Sequence, residues 1–121
     1  MMAEYPILYG IKTCSTVRKA RQWLEEHHIS FIFYDYKTQG ITSQQIEVWA
    51  VQVGWKTLLN RTGMTFRQLS EDQKKNADNE REAIALMVKH PALIKRPILV
   101  FHEKVSVGFK PENYAALFDC G

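Results

Sequence analysis

The chain has 121 residues, 45% of them apolar, and a formal net charge of +3. This length and composition suit one compact domain with a core of its own. The mild charge gives no case for a nucleic-acid partner, and no window approaches the roughly 18 apolar residues of a membrane span. Because the N-terminal residues lack the basic-then-apolar layout of a signal peptide, we expect a cytoplasmic protein.

The first predicted elements are a strand, a helix and a strand. Residues 6–10 predict a short buried strand, and the aromatic-rich residues 31–36 predict a second one. Between them, residues 15–28 predict a helix that Thr13 or Ser15 caps. Its apolar face carries Val17, Ala20, Trp23 and Leu24. Since such connections are right-handed, the two strands should be parallel and adjacent, or nearly so.

The middle of the chain predicts short helices. A capping-box pattern at Thr42 opens a helix that Gly54 ends. Helical turns follow, and Asn79 begins a longer helix that Pro91 stops. This stretch has few strong apolar positions, so we expect an insertion that packs on the β-containing part rather than an independent domain.

Strand patterns return near the C-terminus. Residues 98–101 and 105–107 predict two strands joined by a hairpin-length link, and Pro111 begins a final helix. With a cysteine at the start of the first helix, this order predicts an α/β, thioredoxin-like (glutaredoxin-like) fold: a four-stranded mixed sheet with an all-helical insertion. We expect residues 1–121 to form one domain. Its core lies at about 5–37 and 92–121, and its insertion at about 38–91.

The chain contains two cysteines and four histidines. So sparse a pair of cysteines does not indicate a disulfide framework in a cytosolic protein. The histidines lack metal-ligand spacing, so we expect no metal site and no bound cofactor. Cys120 is either a bystander or a thiol that resolves a mixed disulfide, should the C-terminal tail reach Cys14.

Cys14 stands where the first predicted strand ends and the first helix begins. The unpaired N–H groups and partial positive charge of a first helical turn stabilise an anion. A thiol there should lose its proton more easily than a free one, and the thiolate is the reactive form. Arg18, one helical turn later, adds a cation. The residues alone leave two interpretations open, a nucleophile or an accidental surface cysteine.

Several stretches along the chain carry a family resemblance. They are Tyr9-Gly10-Ile11-x-x-Cys14-x-x-x-Arg18-Lys19-Ala20-Arg21-x-Trp23-Leu24-Glu25-Glu26-His27, Asp35-Tyr36, Gly54-Trp55-x-x-Leu58-Leu59-Asn60, His90-Pro91-x-Leu93-Ile94-Lys95-Arg96-Pro97-Ile98 and Val107-Gly108-Phe109. Together they resemble, over essentially the whole chain, the ArsC-related family. That family includes ArsC-type arsenate reductases, the Spx regulators and the YffB-like proteins, and the likeness is to the YffB-like branch in particular.

The resemblance implies roles for four positions near the first helix and the third strand, and sequence proximity to the thiol adds a fifth candidate. Cys14 matches the catalytic thiol, and Arg18 matches the arginine four residues on. Arg96 precedes Pro97 at the family's cis-proline, where the neighbouring backbone pairs with a thiol substrate such as glutathione. Lys12, beside the thiol in sequence, is a candidate for binding a glutathione carboxylate.

Two more positions bear on oxyanion binding, and a third separates branches of the family. Arg61 lies one residue beyond the position of an arsenate-reductase arginine, which is Asn60 here. Lys110 replaces another such arginine and loses the planar fork that grips an oxyanion by two bonds. Val17 stands where Spx regulators carry the second cysteine of a Cys-x-x-Cys switch, so this local disulfide cannot form.

These observations predict a thiol-dependent oxidoreductase with a single catalytic cysteine. In this prediction the enzyme is a glutathione-dependent thiol reductase, in which Cys14 forms a mixed disulfide and an external thiol, glutathione or glutaredoxin, completes the cycle. One alternative is a glutathione- and glutaredoxin-dependent arsenate reductase. Another is a non-enzymatic, Spx-like regulator that binds RNA polymerase.

Overall fold

The computed structural model describes residues 5–119, which fold into two compact units. Unit 1 contains residues 5–34 and 96–119, and unit 2 is Asp35–Lys95. In chain order the elements are β1 (Ile7–Gly10), α1 (Ser15–Glu26), β2 (Ile32–Asp35), α2 (Tyr36–Gln39), α3 (Ser43–Val53), α4 (Trp55–Leu58), α5 (Met64–Arg67), α6 (Glu71–Asn76), α7 (Glu80–Lys89), a 3-10 turn (Pro91–Leu93), β3 (Ile98–Phe101), β4 (Lys104–Val107) and α8 (Pro111–Leu117). Within the described residues, no helix is long and apolar enough to cross a membrane.

The four strands form one mixed sheet in the order β2-β1-β3-β4. β1 pairs with β3 in antiparallel register, with Leu8 opposite Leu99, and β3 pairs with β4, with Leu99 opposite Ser106. β2 lies beside β1 after the α1 crossover, as right-handed strand–helix–strand connections require. This sheet confirms the predicted thioredoxin-like α/β fold.

The core of unit 1 lies on the sheet face that Leu8 and Leu99 share. The two leucines pack with side chains of α1 and with Tyr114 of α8. The predicted apolar face of α1 is confirmed, because Val17, Ala20 and Leu24 are fully buried and Trp23 is 9% exposed. Burial of this face fixes α1 on the sheet.

The predicted boundaries are wrong at two helix starts. α1 is capped neither by Thr13 nor by Ser15: Cys14 is its N-cap, with φ −74° and ψ 129°, and the Cys14 carbonyl accepts the first helical bond from Arg18 N–H at 3.0 Å. The second strand ends before Tyr36, because the Asp35 carboxylate accepts the N–H groups of the next turn and starts α2.

The link between β3 and β4 is a hairpin turn, as predicted, but it contains two residues where the sequence predicts three. His102 and Glu103 both have positive φ, 52° and 65°. Positive φ at both central residues is typical of the turn that matches the twist of paired strands. β4 therefore begins one residue earlier than the sequence predicts, at Lys104.

Unit 2 consists of short helices whose starts are capped by side chains. The Thr42 hydroxyl accepts Gln45 N–H at 3.1 Å, and Asn79 Oδ1 accepts Glu82 N–H at 3.2 Å. α3 ends at Gly54, which has φ +86°. These caps agree with the sequence prediction, and they hold helices too short to be stable alone.

Candidate active site

Cys14 lies at the junction of β1 and α1 in unit 1. Its N–H donates to the carbonyl of Ile11 at 3.0 Å, which closes a tight turn between the strand and the helix. The side chain is partly exposed. The thiol thus stands at the N-terminus of a helix of 12 residues, within reach of solvent and of a substrate.

The pKa of the Cys14 thiol is lowered from its ordinary value by the groups around it. Burial alone raises the pKa, but the Val17 N–H, a hydrogen bond from the Arg96 side chain, the Thr16 N–H and the positive charge of Arg96 lower it. The Cys14 side chain makes no capping hydrogen bond to the first turn of α1. The N–H groups therefore act as fixed dipoles that favour the thiolate.

Arg96 reaches Cys14 because of strand pairing. Tyr9 of β1 lies opposite Ile98 of β3 in antiparallel register, so the residues just before Ile98 lie beside those just after Tyr9. The Arg96–Pro97 peptide bond is cis, as the resemblance predicts. The Pro97 carbonyl accepts the N–H of Gly108 at 2.8 Å, which ties this segment to the end of β4.

Two other candidate residues lie close to Cys14 in sequence. Lys12 is exposed in the turn between β1 and α1, and Arg18 is exposed in the first turns of α1. Arg96 is the cation that lowers the pKa of Cys14, and the expected effect of Arg18 on the thiol stays a prediction. Substrate-binding roles for Lys12 and Arg18 stay predictions.

The two remaining oxyanion candidates are found in different surroundings. In unit 2, Arg61 Nη2 donates to the carbonyl of Ala77 and to Asp78 Oδ1, both at 3.0 Å, and its guanidinium lies 5.5 Å from the ring centroid of Phe66. These contacts give Arg61 a structural role. Lys110 is exposed at the N-cap of α8 in unit 1. Oxyanion binding by either residue stays a prediction.

The sequence predicts that N–H groups of the first helical turn stabilise the thiolate. In the structure the N–H groups that lower the pKa of Cys14 are those of Val17 and Thr16. Cys120 lies outside the described residues. Among the residues that are described, no group of three or more His, Cys, Asp or Glu side chains could hold a metal ion.

Comparisons with known proteins show that the chain is similar to one protein family over most of its length. The model of the ArsC family matches residues 9–117. A solved structure of a protein called YffB is 50% identical, with a TM-score of 0.86, and covers 92% of this chain and 96% of that chain. An arsenate reductase (ArsC) related protein from Brucella melitensis is 42% identical, with a TM-score of 0.75 and 98% of each chain covered.

Two curated relatives show how widely the likeness extends. A Haemophilus influenzae protein is 38% identical over 111 residues, which are 92% of this chain and 96% of the relative. The global transcriptional regulator Spx 2 of Bacillus cereus is 28% identical over 109 residues, which are 88% of this chain and 82% of the regulator. The chain thus resembles proteins with enzyme names and proteins with regulator names alike.

Proposed function

The chain belongs to the ArsC family, and we propose that it is a thiol-dependent oxidoreductase that uses glutathione as co-substrate. One observation carries the proposal. The partly exposed thiol of Cys14 lies at a helix N-terminus beside the Arg96 guanidinium, and together they lower its pKa. A lowered pKa increases the fraction of thiolate, which is the reactive form in thiol–disulfide exchange.

The proposed reaction consists of two exchange steps. The Cys14 thiolate attacks the glutathione sulfur of a mixed disulfide, a new sulfur–sulfur bond forms, and the substrate leaves as a thiolate that takes up a proton. A second glutathione, as thiolate, then attacks the glutathione sulfur bound to Cys14. This step releases oxidised glutathione and restores the Cys14 thiolate. Over the cycle one glutathione thiol is oxidised to a disulfide, while the substrate's half of the mixed disulfide is reduced to a thiol.

The residue at position 17 supports the need for an external thiol. Val17 occupies the place where a second cysteine would resolve the mixed disulfide, and its side chain is fully buried. Glutathione is the thiol that the basic surroundings favour. Lys12 and Arg18 are exposed cations near the thiol in sequence, and glutathione carries a net negative charge with two carboxylates.

Mass spectrometry after mixing with oxidised glutathione tests this function. We expect one glutathione adduct, lost on adding reduced glutathione, in the wild type and in Cys120→Ser, and no adduct in Cys14→Ser. An adduct confined to Cys120 would overturn the proposal. Turnover of a glutathione–peptide mixed disulfide, followed with reduced glutathione and compared between wild type and Cys14→Ser, then tests catalysis itself.

Arsenate reduction is a second candidate, supported by the name of the Brucella melitensis relative and by the cation at the thiol. Cys14 would attack arsenate while Arg96 and Lys110 held the oxyanion, and glutathione or glutaredoxin would supply the two electrons. Arsenite release in the presence of glutathione and glutaredoxin, lost in Cys14→Ser, would support it. Mixed-disulfide turnover without arsenite release would favour the first proposal.

A third candidate, of a different class, is a regulator that binds RNA polymerase. It is supported by the similarity to an Spx regulator. Because Val17 prevents the Cys-x-x-Cys switch, binding would be constitutive. Capture of the purified RNA polymerase α subunit by the wild type and Cys14→Ser alike would support this candidate, and the absence of capture would remove it. The cytoplasmic location stays a prediction.

A further inference from the structure

Gly10 and Val17 touch at the point where β1 gives way to α1. A methyl group built on the Cα of Gly10 would lie 2.7 Å from Val17 Cγ2 and 3.2 Å from Val17 Cγ1. Both distances are well inside the 3.5–4.0 Å at which carbon atoms attract. Gly10 therefore leaves a gap that the Val17 side chain fills, and Val17 is fully buried there.

The Val17 side chain cannot relieve such a clash by turning. A β-branched residue in a helix is held in one χ1 rotamer, and here both methyl groups face Gly10. A side chain at position 10 would therefore displace the first turn of α1 as a body. The bare Cα of Gly10 lets that turn lie directly against the end of β1.

That first turn is the part of the helix on which Cys14 depends. The N–H of Val17 is among the groups that stabilise its thiolate. Gly10 is also the last residue of β1, the strand whose pairing with β3 brings Arg96 to the site. One contact therefore joins the strand that locates Arg96 to the helical turn that carries Cys14.

We propose that Gly10 is a positioning residue for Cys14: its contact with Val17 sets the first turn of α1 against β1 and thereby holds the sulfur at the helix N–H groups and at Arg96. This inference rests on the proposed function, since it explains how the nucleophile is held. It predicts a dependence of thiol reactivity on a residue that bears no functional group.

The test compares the pH profiles of alkylation in five proteins, with iodoacetamide as probe in a Cys120→Ser background. The proteins are the reference, Gly10→Ala, Val17→Ala, the Gly10→Ala/Val17→Ala double variant and Leu24→Ala. Gly10→Ala should shift the profile to higher pH and slow alkylation by about threefold or more below the reference pKa, since half a pKa unit is about a threefold change in thiolate. Leu24 is fully buried on the same helix, so Leu24→Ala should destabilise the fold and leave the profile unchanged.

The double variant is the decisive protein. With alanine at position 17 the nearest remaining atom, its Cβ, lies 3.5 Å from the added methyl group, an ordinary contact. The profile should therefore return to that of Val17→Ala. A normal profile in Gly10→Ala, or a shifted profile in the double variant, would overturn the inference.

Two other outcomes are also decisive. If Gly10→Ala fails to fold, a folded double variant with the Val17→Ala profile supports the inference, and an unfolded double variant overturns it. The reference profile itself tests the proposed function. An ordinary thiol pKa there counts against a reactive Cys14, while a low reference pKa that Gly10→Ala leaves in place counts against the positioning role alone.

Discussion

The guanidinium of Arg96 donates a hydrogen bond to the sulfur of Cys14 and adds its positive charge there. The two residues come from the two separate sequence segments of unit 1, and the pairing of β1 with β3 brings them together. Removing the Arg96 side chain should remove both the hydrogen bond and the positive charge that stabilise the thiolate. The two helix N–H groups would remain, and they provide only a partial positive charge.

Arg96→Ala should therefore raise the pKa of Cys14 and slow its alkylation by about tenfold below neutral pH, because an adjacent cation favours the thiolate. Alkylation rates measured against pH check this. Arg96→Lys should retain part of the effect, since lysine keeps the charge and loses the planar fork. Arg18→Ala is the matched control, because Arg18 is an exposed arginine close to Cys14 in sequence, whereas Arg96 is the arginine that lowers the Cys14 pKa. A shift in that control as large as in Arg96→Ala would contradict the assignment.

The lowered pKa also makes stability depend on pH in a defined direction. Between the folded pKa of Cys14 and the ordinary value of 9.0, the native thiol is ionised while the unfolded one still binds a proton. The free energy of unfolding then rises with pH. Relative to Cys14→Ser, the wild type should gain stability across this window, keep it above 9.0, and lose it as pH falls through the folded pKa. Urea unfolding of both proteins at several pH values measures the difference; a difference that is constant with pH would contradict the lowered pKa.

The sequence predicts the local features of the site and misses the details set by tertiary contacts. The strand-to-helix boundary at Cys14 follows from a change in hydrophobic period, which is local information. That Cys14 itself is the N-cap depends on the turn closed by Ile11 O, which residue types alone do not determine. The proximity of Arg96 depends on non-local strand pairing, so only the family resemblance indicated it. Nothing in the sequence around Arg61 indicates that it forms an ion pair with Asp78.

The Arg61 contacts give a stability prediction within unit 2. The Arg61–Asp78 ion pair is exposed, with 40% and 78% of the two side chains accessible, so Asp78→Ala should cost at most about 1 kcal/mol. Arg61→Ala should cost about 1–2 kcal/mol, since it also removes the bond to the Ala77 carbonyl and the packing on Phe66. Urea unfolding compares the two variants, with Arg67→Ala as an exposed-arginine control. Equal costs would reduce the role of Arg61 to the ion pair alone.

The last prediction concerns Val17, the residue by which the proposed function makes Cys14 depend on an external thiol. Val17 N–H lies at the Cys14 sulfur, so a thiol introduced by Val17→Cys would start from the same helical turn. A cysteine side chain is smaller than valine and fits the space against Gly10. In a Cys120→Ser background, oxidised glutathione should first form the adduct on Cys14. The introduced thiol, once deprotonated, should then displace glutathione and form an intramolecular disulfide.

Mass spectrometry distinguishes the intramolecular disulfide from a stable glutathione adduct. Val17→Cys should end as a protein two hydrogen atoms lighter, without bound glutathione and without free thiols, whereas Val17→Ala should keep the glutathione adduct. Turnover of a mixed disulfide by the oxidised Val17→Cys protein should fall until an added dithiol reduces it, because the nucleophile is then held in the local disulfide. A stable glutathione adduct on Val17→Cys would show that the first turn of α1 does not bring the two sulfurs together, and that Val17 alone does not make Cys14 depend on an external thiol.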